Sequence, residues 1–297
     1  MCCLINDRIQ RTSTIIQNST KSKKGKQIVR GKAIRKLGIL TSAETLGGLI
    51  KSGNVRVVDV RKLEDYKVSH IKGAVSMPLS QILDNDSPEK IIELLQNVGI
   101  SNDTPVVVYD DTFGALAARV AWTFQYVGHA NTSLLEVTFT KWKEMGFEIE
   151  RKNNEYQHSN HDLKIHNEIL ADADDVEYMK SNKGSQLIDT RERLNFLTEH
   201  IPGATNLPYT MLGTTDTIMK KPNEIKRFME NRGIIPKSSI ITYCGSVGTL
   251  SGLAYYALKL GGARNVKLYS KSFKDWKKLG RPVEEFKDAN YWDLSAD

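Results

Sequence analysis

The stretch Val57-Val58-Asp59-Val60-Arg61 returns 130 residues later as Leu187-Ile188-Asp189-Thr190-Arg191. At the same offset, His70-Ile71-Lys72-Gly73-Ala74 returns as His200-Ile201-Pro202-Gly203-Ala204. Aspartate, arginine, histidine, isoleucine, glycine and alanine therefore coincide in one register. Self-similarity at a fixed offset is the sequence signature of a repeated structural unit. We therefore predict two copies of one domain.

The second part of each copy matches at an offset of 134, where residues 106–109 correspond to residues 240–243. The register then continues, pairing Gly114 with Gly248, Gly128 with Gly262, Asn131 with Asn265, Phe139 with Phe273, Trp142 with Trp276 and Gly146 with Gly280. Chance does not preserve several glycines and a tryptophan in one register, so the match indicates a duplication.

Each copy alternates short strands with helices. Runs rich in β-branched residues predict buried strands at 55–58, 106–109, 187–188 and 239–243. Apolar residues at helical spacing predict helices at 89–97, 115–126, 223–232 and 250–260. This alternation is typical of an α/β domain whose mainly parallel sheet is flanked by helices.

The chain of 297 residues is long enough for two such domains. We expect a first domain at 40–148, a polar linker at 149–169 and a second domain at 170–285. A basic, flexible extension is expected at 1–39, and a short tail at 286–297.

The net charge of +7 belongs mainly to the N-terminal extension. Residues 1–36 contain ten lysines and arginines and one acid, which leaves 32 bases against 34 acids elsewhere. A charged segment with few large apolar residues is typical of disorder. Such a segment is also able to contact nucleic acid or an anionic membrane, an alternative that we rank below an inert extension. No stretch approaches the ~18 consecutive apolar residues of a membrane helix, so no membrane partner is expected.

Three cysteines are present, and Cys2 and Cys3 lie at the extreme N-terminus. Cys244 then has no disulfide partner in the body of the chain, which favours a reducing compartment and a cytoplasmic location. A lone thiol of this kind is a candidate nucleophile, although an isolated cysteine is also often a small buried apolar residue. The six histidines are dispersed and show no metal-ligand spacing, so neither a metal nor an organic cofactor is expected.

After the strand at 239–243 the chain reads Cys244-Gly245-Ser246-Val247-Gly248-Thr249 and becomes helical at Leu250. Ligands of parallel α/β sheets bind beyond the carboxyl ends of the strands. A loop with two glycines at a helix N-terminus is able to point several backbone N–H groups at an anion. We therefore expect the Cys244 thiolate to be favoured, with a pKa below the ~8.5 of a free thiol.

The duplicated unit, the cysteine loop and the closing segment from Tyr269 to Glu284 together resemble the tandem-domain sulfurtransferases of the rhodanese superfamily. The resemblance covers nearly all of residues 40–285. It implies that Cys244 takes a sulfur atom from a small anionic donor, thiosulfate or 3-mercaptopyruvate. The resulting persulfide, held by the amides of residues 245–249, then passes its sulfur to a thiol, to cyanide or to a protein acceptor.

The same resemblance assigns further roles. Ser246 would be a second catalytic residue that transfers a proton, as in mercaptopyruvate enzymes. Gly245, Val247, Gly248 and Thr249 would bind the substrate, although Val247 and Gly248 stand in swapped order compared with the family. The family's substrate-binding arginine is replaced by Asn195, and Arg193 is a candidate substitute.

The first copy lacks the nucleophile, because Asp110 stands where the second copy has Cys244. A carboxylate cannot carry a sulfur atom, so we expect the first domain to be inactive and to cover the cleft of the second. Since Asp59 with Arg61 and Asp189 with Arg191 occur in both copies, we expect these pairs to be structural.

Two other functions compete with the sulfurtransferase. A cysteine-loop phosphatase places an arginine six positions after the cysteine to clamp phosphate, and Leu250 stands there instead. A non-enzymatic carrier would form the persulfide and deliver it only to a protein partner.

Overall fold

The computed structural model describes residues 36–85, 87–180, 182 and 184–286. The extension predicted at 1–39 therefore lies almost entirely outside the described residues, as do Cys2 and Cys3. The predicted tail lies outside them beyond Phe286. Among the helices of the described ranges, none has the length and apolar character needed to cross a membrane.

The first domain alternates strands and helices along the chain. Its strands are β1 Leu40–Thr41, β2 Arg56–Asp59, β3 His70–Ile71, β4 Ala74–Ser76, β5 Val106–Tyr109, β6 Thr132–Leu135 and β7 Ile149–Glu150. Its helices are α1 Ala43–Ser52, α2 Leu63–Val68, α3 Leu79–Asp84, α4 Pro88–Asn97, α5 Ala115–Tyr126 and α6 Phe139–Glu144.

The second domain repeats this pattern. Its strands are β8 Leu170–Ala171, β9 Ser185–Asp189, β10 Thr205–Asn206, β11 Ser239–Tyr243 and β12 Asn265–Tyr269. Its helices are α7 Ala173–Lys180, α8 Arg193–Thr198, α9 Pro222–Asn231, α10 Thr249–Leu260 and α11 Ser272–Lys278. Short 3₁₀ turns occur at Asn167–Ile169 and Tyr209–Met211.

Each domain is built on one five-stranded parallel sheet. The strand order is β1-β6-β5-β2-β4 in the first and β8-β12-β11-β9-β10 in the second, so the two topologies are the same. The predicted strands 106–109 and 239–243 and the predicted helix 115–126 are confirmed at both ends. The other predicted elements are confirmed with ends shifted by one or two residues. The predicted α/β class is therefore correct for both copies.

Both faces of each sheet are buried. On the central strand β5, Val106 and Val108 face a core that continues into the second domain, whereas Val107 and Tyr109 face a separate apolar cluster. Strand β11 divides its side chains between two clusters in the same way. Because side chains alternate along a strand, continuous apolar runs fit a sheet covered on both sides.

Helices α5 and α10 join the two domains. They pack against each other, and their apolar side chains belong to one core. The approach is close because Gly252 has no side chain: a Cβ there would lie 3.3 Å from the Arg119 amide nitrogen. The first domain is thereby brought next to the loop that precedes α10.

The predicted domain boundaries differ from the structure by a few residues. The amide of Leu37 donates to the Asn131 side chain at 2.9 Å, so the first domain begins before residue 40. Strand β7, assigned to the linker, pairs antiparallel with β3 of the first domain. The Phe286 amide donates to the Leu197 carbonyl at 3.0 Å, which ties the start of the predicted tail to the second domain.

The repeated histidines are buried and bonded to backbone. His70 bonds through its two ring nitrogens to the carbonyls of Tyr66 at 2.8 Å and Lys152 at 3.1 Å. His200 Nδ1 bonds to the Phe196 carbonyl at 2.8 Å. Each histidine ring therefore stabilises, through hydrogen bonds to backbone carbonyls, the turn that starts at its own residue.

A pair of buried histidines ties the linker to the first domain. His129 Nδ1 lies 3.1 Å from His161 Nε2, and neither ring is more than 4% exposed. Burial and the neighbouring His161 lower the pKa of His129 from 6.5 to about 4. A hydrogen bond between two ring nitrogens needs one of them unprotonated, so protonation of both rings breaks it.

The free energy of unfolding is expected to fall as the pH drops from 6.5 towards 4. In that window the unfolded chain binds a proton at residue 129 that the folded chain does not bind, so the folded state loses about 1.4 kcal/mol per pH unit, roughly 3 kcal/mol in all. Urea unfolding across this range should show a smaller pH slope for His129→Gln than for the wild type. The exposed His158→Gln is the matched control, and equal slopes for the wild type and His129→Gln would contradict the assignment.

Candidate active site

Cys244 lies at the carboxyl end of β11, the central strand of the second sheet. The preceding residue, Tyr243, pairs in register with Asp189 on β9. In parallel α/β sheets this edge is where ligands bind. Cys244 therefore lies at the edge of the sheet where this class of fold binds ligands, as predicted.

A buried ion pair fixes the ends of β9 and β11. Arg191 donates to Asp189 from Nε at 3.0 Å and from Nη2 at 2.6 Å, and Nη2 also donates to the Glu199 carbonyl at 2.6 Å. The Tyr243 hydroxyl accepts from the Ile201 amide at 3.1 Å and is hydrogen bonded to Asp189. Burial raises the pKa of this tyrosine well above its ordinary value, so it stays a neutral donor.

The first domain contains the same network. Arg61 donates to Asp59 from Nε at 3.0 Å and from Nη2 at 2.6 Å, and Nη2 reaches the Ser69 carbonyl at 2.7 Å. The Tyr109 hydroxyl donates to Asp59. All these contacts lie within one domain, and the structural role of the four charged residues remains a prediction.

The cysteine loop turns at Gly248, the residue before α10. Its φ is 77°, in the region that favours glycine, and a Cβ there would lie 3.1 Å from the Ser270 Cα. The amides of Phe273 and Lys274 donate to the carbonyls of Cys244 and Gly245 at 3.1 and 2.9 Å. The start of α11 thereby holds the first two carbonyls of the loop.

Two serine hydroxyls lie near the sulfur of Cys244. The residue is 2% exposed, and its Sγ lies 3.6 Å from Ser272 Oγ. That hydroxyl accepts from the Cys244 amide at 3.1 Å and donates to the Tyr269 carbonyl at 2.9 Å. Ser272 has a φ of 61°, a strained conformation for a residue other than glycine, and such strain is typical of functional sites.

Ser251 supplies the second hydroxyl. It is fully buried in the first turn of α10, and its Oγ has no partner of ordinary hydrogen-bond geometry among the described residues. It nevertheless lies close enough to Cys244 to act on the thiol. Its hydroxyl is therefore available to the sulfur.

These groups favour the thiolate. Burial raises the pKa of the Cys244 thiol, but the Ser251 hydroxyl and amide, the Ser272 hydroxyl and the Ser246 amide act in the opposite direction and outweigh it, so the pKa lies below its ordinary value. The direction is the expected one. The donors differ from the expectation, because two of the three residues lie beyond the predicted 245–249 loop.

The first copy shows what this loop does to an anionic side chain. Both oxygens of the buried Asp110 carboxylate accept backbone hydrogen bonds of 2.8 to 2.9 Å, from the amides of Thr112, Gly114, Leu116 and Ala117. Burial raises the pKa of Asp110, and the four amides act against it. At an offset of 134, the corresponding amides belong to Ser246, Gly248, Leu250 and Ser251. The repeated loop thus gathers backbone donors around its first side chain.

The other predicted site residues lie around the loop or on α8. Gly245, Ser246 and Val247 are exposed, Gly248 is buried, and Thr249 begins α10. Arg193 is the half-buried first residue of α8, and Asn195 is exposed two residues later. Substrate binding by these residues and proton transfer by Ser246 remain predictions.

Sequence reasoning did not single out Ser251 or assign a role to Ser272. It also missed Arg119 of the first domain, whose Nε donates to the Val247 carbonyl at 2.8 Å. Comparing the copies gives a usable signal, since Ser251 corresponds to Ala117 and Arg119 to Leu253. Each of these two positions is polar in one copy and apolar in the other.

A profile of the rhodanese-like domain matches residues 42–145 and again residues 172–279. The chain belongs to the rhodanese family. Each match contains four of the five strands of one parallel sheet and one loop of the cysteine type, so the tandem rhodanese-like arrangement predicted from the repeat is correct.

Among the relatives of this rhodanese-family chain, one is named a sulfur carrier and others are named sulfurtransferases. The sulfur carrier protein TtuD of Thermus thermophilus is 30% identical over 82% of this chain and 96% of its own length. The thiosulfate sulfurtransferase of Rattus norvegicus is 26% identical over 82% of this chain and 93% of its own length. The crystal structure of the 3-mercaptopyruvate sulfotransferase SseA from Escherichia coli, 25% identical, superimposes with a TM-score of 0.71 over 80% of this chain and 99% of that one.

Proposed function

We propose that the protein is a sulfurtransferase that moves a sulfane sulfur from a small anionic donor to a thiol or cyanide through a persulfide on Cys244. The observation that carries the proposal is the buried Cys244 thiol, whose pKa is lowered by Ser251, Ser272 and the Ser246 amide. A thiolate is the form of cysteine that attacks sulfur. The family and the thiosulfate sulfurtransferase among its relatives support the same reaction class.

The reaction has two balanced steps. The Cys244 thiolate attacks the outer sulfur of thiosulfate or the thiol sulfur of mercaptopyruvate. A new S–S bond forms, and the donor's S–S or C–S bond to that sulfur breaks. Sulfite leaves thiosulfate with the electron pair, or the enolate of pyruvate leaves mercaptopyruvate and takes up a proton. An acceptor thiolate or cyanide then attacks the outer sulfur and releases the Cys244 thiolate. Such covalent splitting of one transfer into two is the logic of nucleophilic catalysis.

The loop favours 3-mercaptopyruvate over thiosulfate. No lysine or arginine follows Cys244 within residues 245–249, where a dianion would benefit from one. Ser246 is exposed on this loop and is proposed to donate the proton that the pyruvate enolate takes up. The proposed substrate-binding residues are Gly245, Val247, Gly248, Thr249, Arg193 and Asn195. A cytoplasmic location, inferred from the lone thiol of the body, is part of the proposal.

A second candidate is a persulfide carrier that delivers its sulfur only to a protein. The name of the relative from Thermus thermophilus, a sulfur carrier, favours it. The exposed Val247, 39% accessible beside a cysteine that is 2% accessible, would then belong to the surface that the acceptor protein meets.

Steady-state turnover with two donor pairs tests the proposal. Thiosulfate with cyanide and mercaptopyruvate with a thiol are compared on the purified full chain, and the mass of the Cys244 peptide is measured after each donor. Turnover is expected with both pairs, with the higher kcat/KM for mercaptopyruvate. Persulfide on Cys244 without turnover would favour the carrier, and neither turnover nor persulfide would refute both.

A further inference from the structure

Arg119 lies on α5 of the first domain and reaches the cysteine loop of the second. Its Nε donates to the carbonyl of Val247 at 2.8 Å, across 128 positions of the sequence. Its Cδ would lie 3.3 Å from a Cβ at Gly248, so the side chain passes directly against the turn of the loop. The first domain thus contributes a cation to the site that contains Cys244.

The guanidinium is held in place by its own helix. Its central carbon lies 5.2 Å from the centre of the Trp122 ring, and Nη1 donates to the Thr123 hydroxyl. Burial lowers the pKa of Arg119 to about 10, and the charge of Cys244 acts in the opposite direction. Arg119 is therefore still protonated at neutral pH and interacts electrostatically with the cysteine.

The bond to Val247 sets the direction of the next amide. In a trans peptide the C=O and the N–H point in opposite directions. Because the Val247 carbonyl points to Arg119, the Gly248 N–H points away from it. In the first copy the corresponding N–H, that of Gly114, donates to Asp110 at 2.9 Å. Arg119 therefore holds a peptide group whose amide corresponds to one of the four backbone donors to Asp110 in the first copy.

We propose that Arg119 is a positioning residue through which the first domain completes the site of the second: it fixes the Val247–Gly248 peptide and places a positive charge against the loop that begins with Cys244. The proposal rests on the proposed role of Cys244. The corresponding position in the second domain is Leu253, which is buried and carries no donor on its side chain. The arginine thus occurs on the helix that contacts the cysteine loop, and the corresponding position on α10 is apolar.

Two substitutions of Arg119 separate the effect of its positive charge from the effect of its hydrogen bond to Val247. Arg119→Met removes both, whereas Arg119→Lys keeps the charge and loses the planar fork that donates from Nε. The first readout is the pH midpoint of Cys244 alkylation by iodoacetamide, measured by mass spectrometry on the Cys244 peptide because Cys2 and Cys3 also react. The second readout is the rate at which mercaptopyruvate loads the persulfide. Lys141→Met is the matched control, since Lys141 forms an interdomain ion pair with Asp216 at 2.7 Å.

The alkylation midpoint is expected to rise by about one pH unit in Arg119→Met and by less in Arg119→Lys, because a neighbouring cation favours the thiolate. Persulfide loading is expected to slow in both variants, and Lys141→Met should keep the wild-type midpoint. An unchanged midpoint in Arg119→Met, an equal rise in Lys141→Met, or wild-type loading in Arg119→Lys would overturn the proposal. If the wild type forms no persulfide, the sulfurtransferase proposal fails, whereas the alkylation midpoints still decide the role of Arg119.

Discussion

Replacing Cys244 with serine is expected to abolish sulfur transfer and to leave the fold intact. An alcohol neither ionises near neutral pH nor forms a persulfide, so the first step has no nucleophile. Removing the attacking group of an enzyme that works by covalent catalysis lowers turnover by at least about four orders of magnitude. The serine hydroxyl occupies less volume than the thiol and retains neighbours that hydrogen bond, Ser251 and Ser272, so stability should change little.

Three measurements check this expectation: turnover with both donors, the mass of the peptide that contains residue 244, and thermal unfolding. The double variant Cys2→Ser/Cys3→Ser is the matched control, because it removes two thiols and keeps Cys244. It should retain both turnover and persulfide. Sulfur transfer that persists in Cys244→Ser would mean that another group carries the sulfur.

Replacing Asp189 with alanine is expected to cost about 3–5 kcal/mol of the free energy of unfolding. Asp189 is fully buried and neutralises Arg191 through a bidentate pair. Removal of one partner leaves a buried charge uncompensated, which is among the most destabilising single changes. The Tyr243 hydroxyl loses its bond to the carboxylate as well.

The first domain provides the matched variant Asp59→Ala, which breaks the corresponding network in the domain without the cysteine. Urea unfolding should show a similar loss in both. Sulfur transfer by the folded protein should fall in Asp189→Ala alone, because Asp189 lies opposite Tyr243, the residue before Cys244. A loss below about 1 kcal/mol in either variant would fit an exposed ion pair and contradict the structural role.

The comparison of the two copies did not predict the contact between His129 and His161. His129 and His161 have no counterpart in the other copy, so the comparison that revealed the duplicated strands gave them no weight. Their contact joins residues 32 positions apart, and residues 151–160 immediately before His161 form neither helix nor strand. The contact depends on where the linker lies, and a polar linker sequence does not specify its path.

The sequence by itself determined the duplication, the α/β class, the strand before Cys244 and the helix after it. The duplication depends on residues matched in register, and the other features depend on local patterns: apolar runs, helical spacing, and a loop with two glycines. Ser251 lies in the helix that follows the loop directly, whereas only the tertiary structure placed Ser272 and Arg119 against that loop. Their contacts with it join different helices and, for Arg119, different domains, and neither periodicity nor spacing encodes how helices from separate parts of the chain meet.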